Sequence, residues 1–475
     1  MTTIKESQEK IDPAAMQGLI INPYGDLPSA AYCLLEIVDV NQARQWLKAI
    51  TPEVTRGDIA KPQVGVNLAI TYDGVKVLSP SLKPGTFTDA FESGMVSPRR
   101  TRILGDTGTS EPGQWSWGSP DETKEASAQR VHLLLMLFAV NPEGVSELQS
   151  KLLDTMSGCG GLKLLAEPVA TAPLPDNQEH FGFRDSISQP IIEGTYQQAR
   201  SAARQPASAV IKAGEFLLGF DNQYDQPSLS PSVPDDSLAT KHLAANKALP
   251  GVRDLGRYGT YMVVRQLEQD VPGFWNGVKK TAAPDSSEDE IDALAAKLVG
   301  RKLDGTPLAA PGTLNNFGYA KEDPLGHGCP VGAHIRRANP RDALGDDPKL
   351  SLTTVQGHRL IRRGRSYGPA KTKAQRYDQD NVVRGLMFIC LNADIERQFE
   401  FIQSTWLNNP NFNRLQNEND PVIGNPDRAP GGYITIPGCP VRKRLSGIDR
   451  FITVKGGAYF FLPSIAALSY LSELK

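Results

Sequence analysis

The chain has 475 residues, 40% of them hydrophobic and 22% charged, so it is long enough for two or three domains that each bury a full core. Its formal net charge of −2 excludes the basic excess that a general nucleic-acid binder carries. The longest apolar run, Val131 to Val140, is about half of the ~20 residues a membrane span requires, so a buried strand is predicted there and no membrane partner.

The opening stretch MTTIKESQEKIDPAAM mixes charges, and shows neither an apolar signal core nor a twin-arginine pattern, which predicts a cytoplasmic protein. The five cysteines, Cys33, Cys159, Cys329, Cys390 and Cys439, are odd in number, widely spaced and without a C-x-x-C pair. Free thiols in a reducing compartment follow. Four segments then repeat one grammar of apolar strand, polar cap and amphipathic helix: AAYCLLEIVDVNQARQWLKAI from Ala30, VHLLLMLFAVNPEGVSELQSKLL from Val131, GTYMVVRQLEQDVPGFWNGV from Gly259, and GLMFICLNADIERQFEFIQSTWL from Gly385. In the second, Asn141 followed by Pro142 is a helix cap with proline at the first helical position. In the fourth, Ile395, Phe399 and Ile402 recur at helical spacing and form a core-facing stripe.

Two such units precede residue ~200 and two follow it, the pattern of a duplicated α+β domain with antiparallel sheet and helices on one face. The Ala/Gln/Ser-rich stretch Gln197 to Ala209 is the natural boundary. The Pro, Ser and Asp-rich region Asp221 to Val252 predicts a surface loop. Ser287 to Gly300 predicts an inserted amphipathic helix with Ile291, Leu294 and Leu298 on one face.

Three constellations carry candidate chemistry. In HFGFRDSISQP, His180 to Pro190, Gly182 allows tight backbone approach, and Asp185 stands among Phe181, Phe183 and Ile187. A carboxylate in such company is hydrogen-bonded structure or a working acid/base. In GHGCPVGAHIRRANPRD, from Gly326, a Gly/Pro-rich turn precedes His334, which is followed by Arg336, Arg337 and Arg341. A histidine so placed can be an axial ligand to an iron porphyrin, with arginines to meet the porphyrin's carboxylates. His327, Cys329 and His334 together lack a fourth ligand at zinc spacing. In RLIRRGRSYGP, Arg359 to Pro369, Leu360 and Ile361 predict a short strand that aims Arg362 inward.

Together these blocks resemble the dye-decolourising (DyP-type) haem peroxidases. The likeness runs through GFRD, set where the family has G-x-x-D-G, AHIRRANPRD, RRGRSYGP, RGLMFICLNADIERQFEFIQSTW and the terminal GGAYFFLPSI, in the family's order. The resemblance implies tandem ferredoxin-like domains of the dimeric α+β barrel type, an N-terminal one (1–205) contributing the GFRD motif and a C-terminal one (206–475) holding haem b. It implies a peroxidase that uses hydrogen peroxide to oxidise phenolic, dye-like or other bulky aromatic donors through a ferryl intermediate, and it allows a homo-oligomer. A non-enzymatic haem-binding or haem-delivery protein on the same fold is the competing expectation.

Carried residue by residue, the resemblance makes His334 the proximal iron ligand, its other ring nitrogen donating to a carboxylate. Asp420 in NDPVIG is the best match, with Asp394 and Glu400 as alternatives. Asp185 and Arg362 become the distal acid/base and the charge stabiliser. Leu386 and Phe388, alternate residues of one strand, form an apolar roof, and Arg341 binds a propionate. An acid/base aspartate implies a rate optimum on the acidic side of neutrality. Ser186 departs from the family's glycine, so its side chain is expected to narrow the approach to iron or to hydrogen-bond Asp185 or a distal water. For oxidation of bulky donors at the surface, Trp115 and Trp117 in a Gly/Ser/Pro-rich loop are the candidates for exposure, whereas Trp406 is expected in the core.

Overall fold

The computed structural model describes residues 10–201, 205–246, 249–425, 432–438, 440–447 and 449–474, and its backbone is one ten-stranded antiparallel sheet with helices and long loops laid against it. The strands are β1 (Ser29–Ile37), β2 (Gly65–Ile70), β3 (Leu133–Ala139), β4 (Leu162–Leu164), β5 (Val169–Thr171), β6 (Thr260–Gln269), β7 (Ile361–Arg362), β8 (Arg365–Tyr367), β9 (Gly385–Asn392) and β10 (Ile452–Leu462). Their order is β7-β9-β6-β10-β2-β3-β1-β4, with β8 also on β9 and β5 also on β1.

This order contains a repeat. Strands β2-β3-β1-β4 and strands β7-β9-β6-β10 each run second, third, first, fourth, the ferredoxin-like arrangement of split βαβ units. The two halves meet edge to edge through one registered pair, Phe461 with Ile70. Helix α1 (Val40–Ile50) follows β1, α2 (Pro142–Cys159) follows β3, and α3 (Val271–Thr281) follows β6. The caps Asp39, Asn141 and Asp270 each accept a backbone N–H from the first turn, at Gln42, Gly144 and Gly273. The predicted inserted helix is α4 (Glu288–Val299), closed by a capping box between Ser287 and Glu290.

The run LLLMLFA of β3 does not alternate because the sheet is covered on both faces. Leu133, Leu135 and Leu137 pack on one side with Trp46, Leu47, Leu148 and Leu152 of α1 and α2. Leu134, Met136 and Phe138 pack on the other with Leu19, Ile20 and Ile21 of the N-terminal segment and with Ile211 and Phe216. Helices on one face are expected from the sequence; the second face is covered as well, by the one-turn helix Gly18–Ile21 and by the segment that carries Ile211 and Phe216.

The fourth predicted helix differs in kind. Glu396–Glu400 and Ile402–Leu407 are π-helical, with Glu400 N–H on Ile395 O and Asn408 N–H on Gln403 O, both at 2.9 Å. Ile395, Phe399 and Ile402 are buried as the stripe predicted. The wider turn sets Phe399, Gln403 and Leu407 along one cavity wall, and π-turns concentrate at functional sites.

Trp115 and Trp117 correct the sequence reading: they are buried, at 0% and 4% exposure. Trp115 Nε1 donates to Ser110 O and Trp117 Nε1 to Gln266 Oε1. The Trp117 ring lies so close over Gly456 that a Cβ there would stand 2.3 Å from its Nε1. A Gly/Ser/Pro-rich loop is thus pinned by its aromatics against the bare glycines of β10. Trp406 is buried, as expected. Cys33, Cys159, Cys329 and Cys390 are free, and Cys439 lies outside the described residues. Among the described residues no helix is long and apolar enough to cross a membrane.

Candidate active site

The second repeat carries two long insertions, residues 282–360 between α3 and β7 and residues 408–451 between the π-helical segment and β10. With the segment around 177–189, described residues of both insertions face Leu267, Leu386, Phe388 and Val454 of β6, β9 and β10. Between them lies a cavity of about 340 Å³.

Strand alternation decides which side chains enter it. In β9, Met387, Ile389 and Leu391 join the core on the far face, so Leu386 and Phe388 turn toward the cavity and line it. Arg362 of β7 is registered opposite Cys390, which puts it on the face of Leu386 and Phe388. Arg363 falls on the other face, where its guanidinium donates to the carbonyls of Leu19 and Ile20. Only one of these adjacent arginines can reach the cavity.

Arg362 Nη1 donates to Asp185 Oδ1 at 2.8 Å, and Ser186 N–H donates to the same oxygen at 2.6 Å. Burial pushes the Asp185 carboxyl up, but Arg362 and the Ser186 N–H outweigh it and hold the group below the usual carboxylate range. Ser186 has φ +64°, a left-handed conformation that explains why glycine suits this position. Its side chain is exposed and does not line the cavity. Ser186 therefore reaches the site through its backbone, and the expectation that its side chain narrows the cavity does not hold.

His334 opens the short helix α5 (His334–Ala338). Its Nδ1 lies 3.1 Å from Oδ2 and 3.2 Å from Oδ1 of Asp420. Asp420 Oδ1 also accepts the N–H groups of Val422 and Ile423, each at 2.9 Å. Of the three carboxylates considered, only Asp420 meets His334: Asp394 pairs with Arg397, and Glu400 with Arg100 and Tyr459. Burial disfavours the His334 imidazolium, yet Asp420 more than offsets this and raises its pKa. Burial likewise opposes the Asp420 carboxylate, and His334 and Arg337 hold its pKa down. The His334 ring lines the cavity with Asp185 and Arg362, and its Nε2 has no protein partner among the described residues.

The arginines beside His334 behave differently from their sequence reading. Arg336 donates to the carbonyls of Asp323 and Cys329 and stacks on Tyr319. Arg337 donates to the carbonyls of Gly332, Trp406, Asn409 and Glu418, tying α5 to the π-helical segment and to the turn that carries Asp420. Neither lines the cavity, where Ile335 and Ala338 of α5 join His334 instead. Arg341 does line it, stacked 3.9 Å over Phe317, with its terminal nitrogens on Asn315 O, Phe317 O and Asn315 Oδ1.

Sequence reasoning missed Arg359. It lines the cavity, and among the described residues its guanidinium meets no protein acceptor. Burial, with Arg341 and Arg362 nearby, pushes its pKa down to about 9. Burial and Arg341 similarly push the neighbouring Arg301 down to about 10. Within RLIRRGRSYGP nothing in the spacing separated Arg359 from Arg363 and Arg365, which backbone carbonyls take up.

These features fit an iron porphyrin. One imidazole nitrogen is offered, the walls are apolar (Leu386, Phe388, Phe399, Ile402, Ile423, Val454), and Arg341 and Arg359 form a cationic edge without carboxylate partners. Among the described residues no three His, Cys, Asp or Glu side chains gather as a metal cage, so iron bound by His334 alone needs its other ligands from a macrocycle.

No family model matches the chain. Over 439 residues it is 30% identical to the dye-decolorizing peroxidase msp1 of Mycetinis scorodonius, covering 86% of this chain and 76% of that one. It is 35% identical over 324 residues to the multifunctional dye peroxidase DyP2 of an Amycolatopsis species, covering 62% and 61%. The solved structure of an ancestral D-type dye-decolorizing peroxidase superimposes with a TM-score of 0.75 at 26% identity, over 97% of this chain and 99% of that one. With such likeness over most of both chains, on a shared fold, the chain belongs to the dye-decolourising peroxidases, a family of haem-dependent enzymes.

Proposed function

We propose that the chain binds haem b in this cavity and uses hydrogen peroxide to oxidise phenolic, dye-like or other bulky aromatic donors. The observation that carries the reading is the ion pair of Asp185 and Arg362, set in the same cavity as a histidine whose Nδ1 is held by a buried carboxylate. Non-covalent haem b fits a sequence with no C-x-x-C-H attachment motif.

His334 Nε2 would ligate the iron, and the Asp420 carboxylate would keep the Nδ1–H tautomer and increase the electron donation of the imidazole. Leu386 and Phe388 would give the group apolar walls and exclude bulk water. Arg359, with Arg341 beside it, would meet the propionates, since a guanidinium without a carboxylate calls for an anion. The chemistry a bound haem supplies is the two-electron reduction of peroxide, returned to donors as two one-electron oxidations.

Asp185 is held ionised, so it is ready to accept a proton. It would take a proton from one peroxide oxygen and deliver it to the other, which leaves as water. Arg362 would stabilise the negative charge that develops on that leaving oxygen, and its hydrogen bond to Asp185 Oδ1 fixes the carboxylate's aim. Asp185→Asn is expected to lower the bimolecular rate constant with peroxide by about 10²–10⁴-fold while haem binding is kept. An unchanged rate constant would remove Asp185 from the mechanism.

A further inference from the structure

We propose that Glu179 is the positioning residue for Asp185, its carboxylate locking the turn that sets where the catalytic carboxylate stands. The inference rests on the reading of Asp185 as the group that moves the peroxide proton. Glu179 lines the same cavity yet has no part in that step.

Three N–H donors converge on its carboxylate. Phe183 N–H donates to Oε1 at 2.9 Å, Phe181 N–H donates to Oε2 at 3.0 Å, and Gln269 Nε2 of β6 donates to Oε2 at 2.7 Å. The first two close the turn 179–183 on itself, where backbone bonds from Glu179 N to Phe183 O and from Gly182 N to Glu179 O already run. Gly182 takes φ +92° in that turn. The third bond moors the turn to the end of β6. Two residues beyond Phe183 comes Asp185, whose own N–H donates to Asn177 O at 3.0 Å, so Asp185 sits at the mouth of the loop that Glu179 clamps.

The aromatic side chains of the turn are fixed by the same clamp. Phe181 stacks on Phe274 at 4.5 Å, and Phe183 lies parallel to Trp275. A turn of this kind needs no carboxylate for its backbone bonds, and burying one is costly: burial pushes the Glu179 carboxyl up to about 7. What the carboxylate adds is a rigid link from β6 to the backbone that carries Asp185, whose placement relative to Arg362 of β7 is thereby tied to the sheet. Misplacement of a reacting group by ~1 Å can cost ~10²-fold in rate.

The test is a double-mutant cycle on the haem-loaded enzyme. Glu179→Gln keeps the volume but sets an amide nitrogen against at least one of the three donors. It is expected to lower the peroxide rate constant about 10- to 100-fold in the otherwise native enzyme. In the Asp185→Asn background the same change should cost less than about threefold, because a residue acting through Asp185 has nothing left to position. Amide hydrogen exchange at Phe181 and Phe183 should quicken in Glu179→Gln, a readout independent of turnover. An equal loss in both backgrounds, or unaltered exchange, overturns the assignment. Gln269→Leu, which cuts only the mooring to β6, should show a smaller loss with the same dependence on Asp185, and it decides the matter by the same criteria if Glu179→Gln does not fold. If Asp185→Asn alone leaves the peroxide rate untouched, the reading of Asp185 fails, and this inference with it.

Discussion

Replacing Asp420 by asparagine isolates the effect of one charge on the iron. The carboxylate is fully buried and accepts His334 Nδ1–H as well as the N–H groups of Val422 and Ile423. Asparagine can keep the two backbone bonds through its single oxygen, but it turns a neutral amide toward the imidazole. A hydrogen bond to a charged group is worth about 1.5–3 kcal/mol, and it favours the oxidised iron because electron donation from the imidazole stabilises the higher charge. For a one-electron couple, in which ~59 mV corresponds to a factor of ten, that range is about 65–130 mV. The Asp420→Asn enzyme should therefore show a ferric/ferrous potential raised by up to that amount, with haem affinity reduced about 10- to 100-fold. Spectroelectrochemical titration of the haem-loaded protein reads the shift directly. A potential unmoved within error would refute the argument, because it would mean that the 3.1 Å contact does not tune the ligand.

Asp185 works as a carboxylate, so the peroxide rate should fall as pH drops through its folded-state pKa, which lies below the ordinary value of ~3.9; a stopped-flow pH profile should place the acid limb there. Removing the cation with Arg362→Leu takes away the largest counterweight to burial and leaves the Ser186 N–H, so the midpoint of that limb should move up in pH; a limb that stayed put would contradict the pairing. Arg359→Leu removes a cavity cation that meets no protein acceptor among the described residues, and haem transfer to apomyoglobin should speed up about 10- to 100-fold, the loss of one charge-assisted bond. Trp117→Phe leaves the Gln266 amide oxygen without its indole donor and should lower stability by about 1–3 kcal/mol in denaturant melts, with dye turnover per folded molecule unchanged.

The strand–helix units were legible because each couples an apolar run to a capping residue, and Asp39, Asn141 and Asp270 cap where the pattern has them. Strand order was not legible: the edge-to-edge joint rests on one pair, Phe461 with Ile70, separated by most of the chain. The spacing of Ile395, Phe399 and Ile402 suits an α-helix as well as a π-helix, so the wider turn that lines the cavity left no trace in it. Composition misled at Trp115 and Trp117, because a loop rich in small residues can be drawn inward by two indoles once Gly456 offers a bare strand to lie on. Proximity in sequence misled at Arg336 and Arg337, since backbone carbonyls take up both guanidiniums, those of Asp323 and Cys329 for the first and those of Gly332, Trp406, Asn409 and Glu418 for the second. Asp420, far along the chain from His334, could be chosen among three carboxylates only by likeness to other proteins, whereas the fold brings it to Nδ1. For Arg362 the short strand was enough, because alternation sends it to one face and Arg363 to the other.

The claim on which the rest depends is that His334 holds the iron of a bound haem. The most direct measurement is the absorption spectrum of the purified protein reconstituted with haem, recorded for the native chain and for His334→Ala before and after one equivalent of peroxide. The native protein should show a Soret band of bound haem that changes within the mixing time on adding peroxide, and His334→Ala should fail to retain haem through gel filtration. A His334→Ala protein that kept the native Soret band and its response to peroxide would contradict the account.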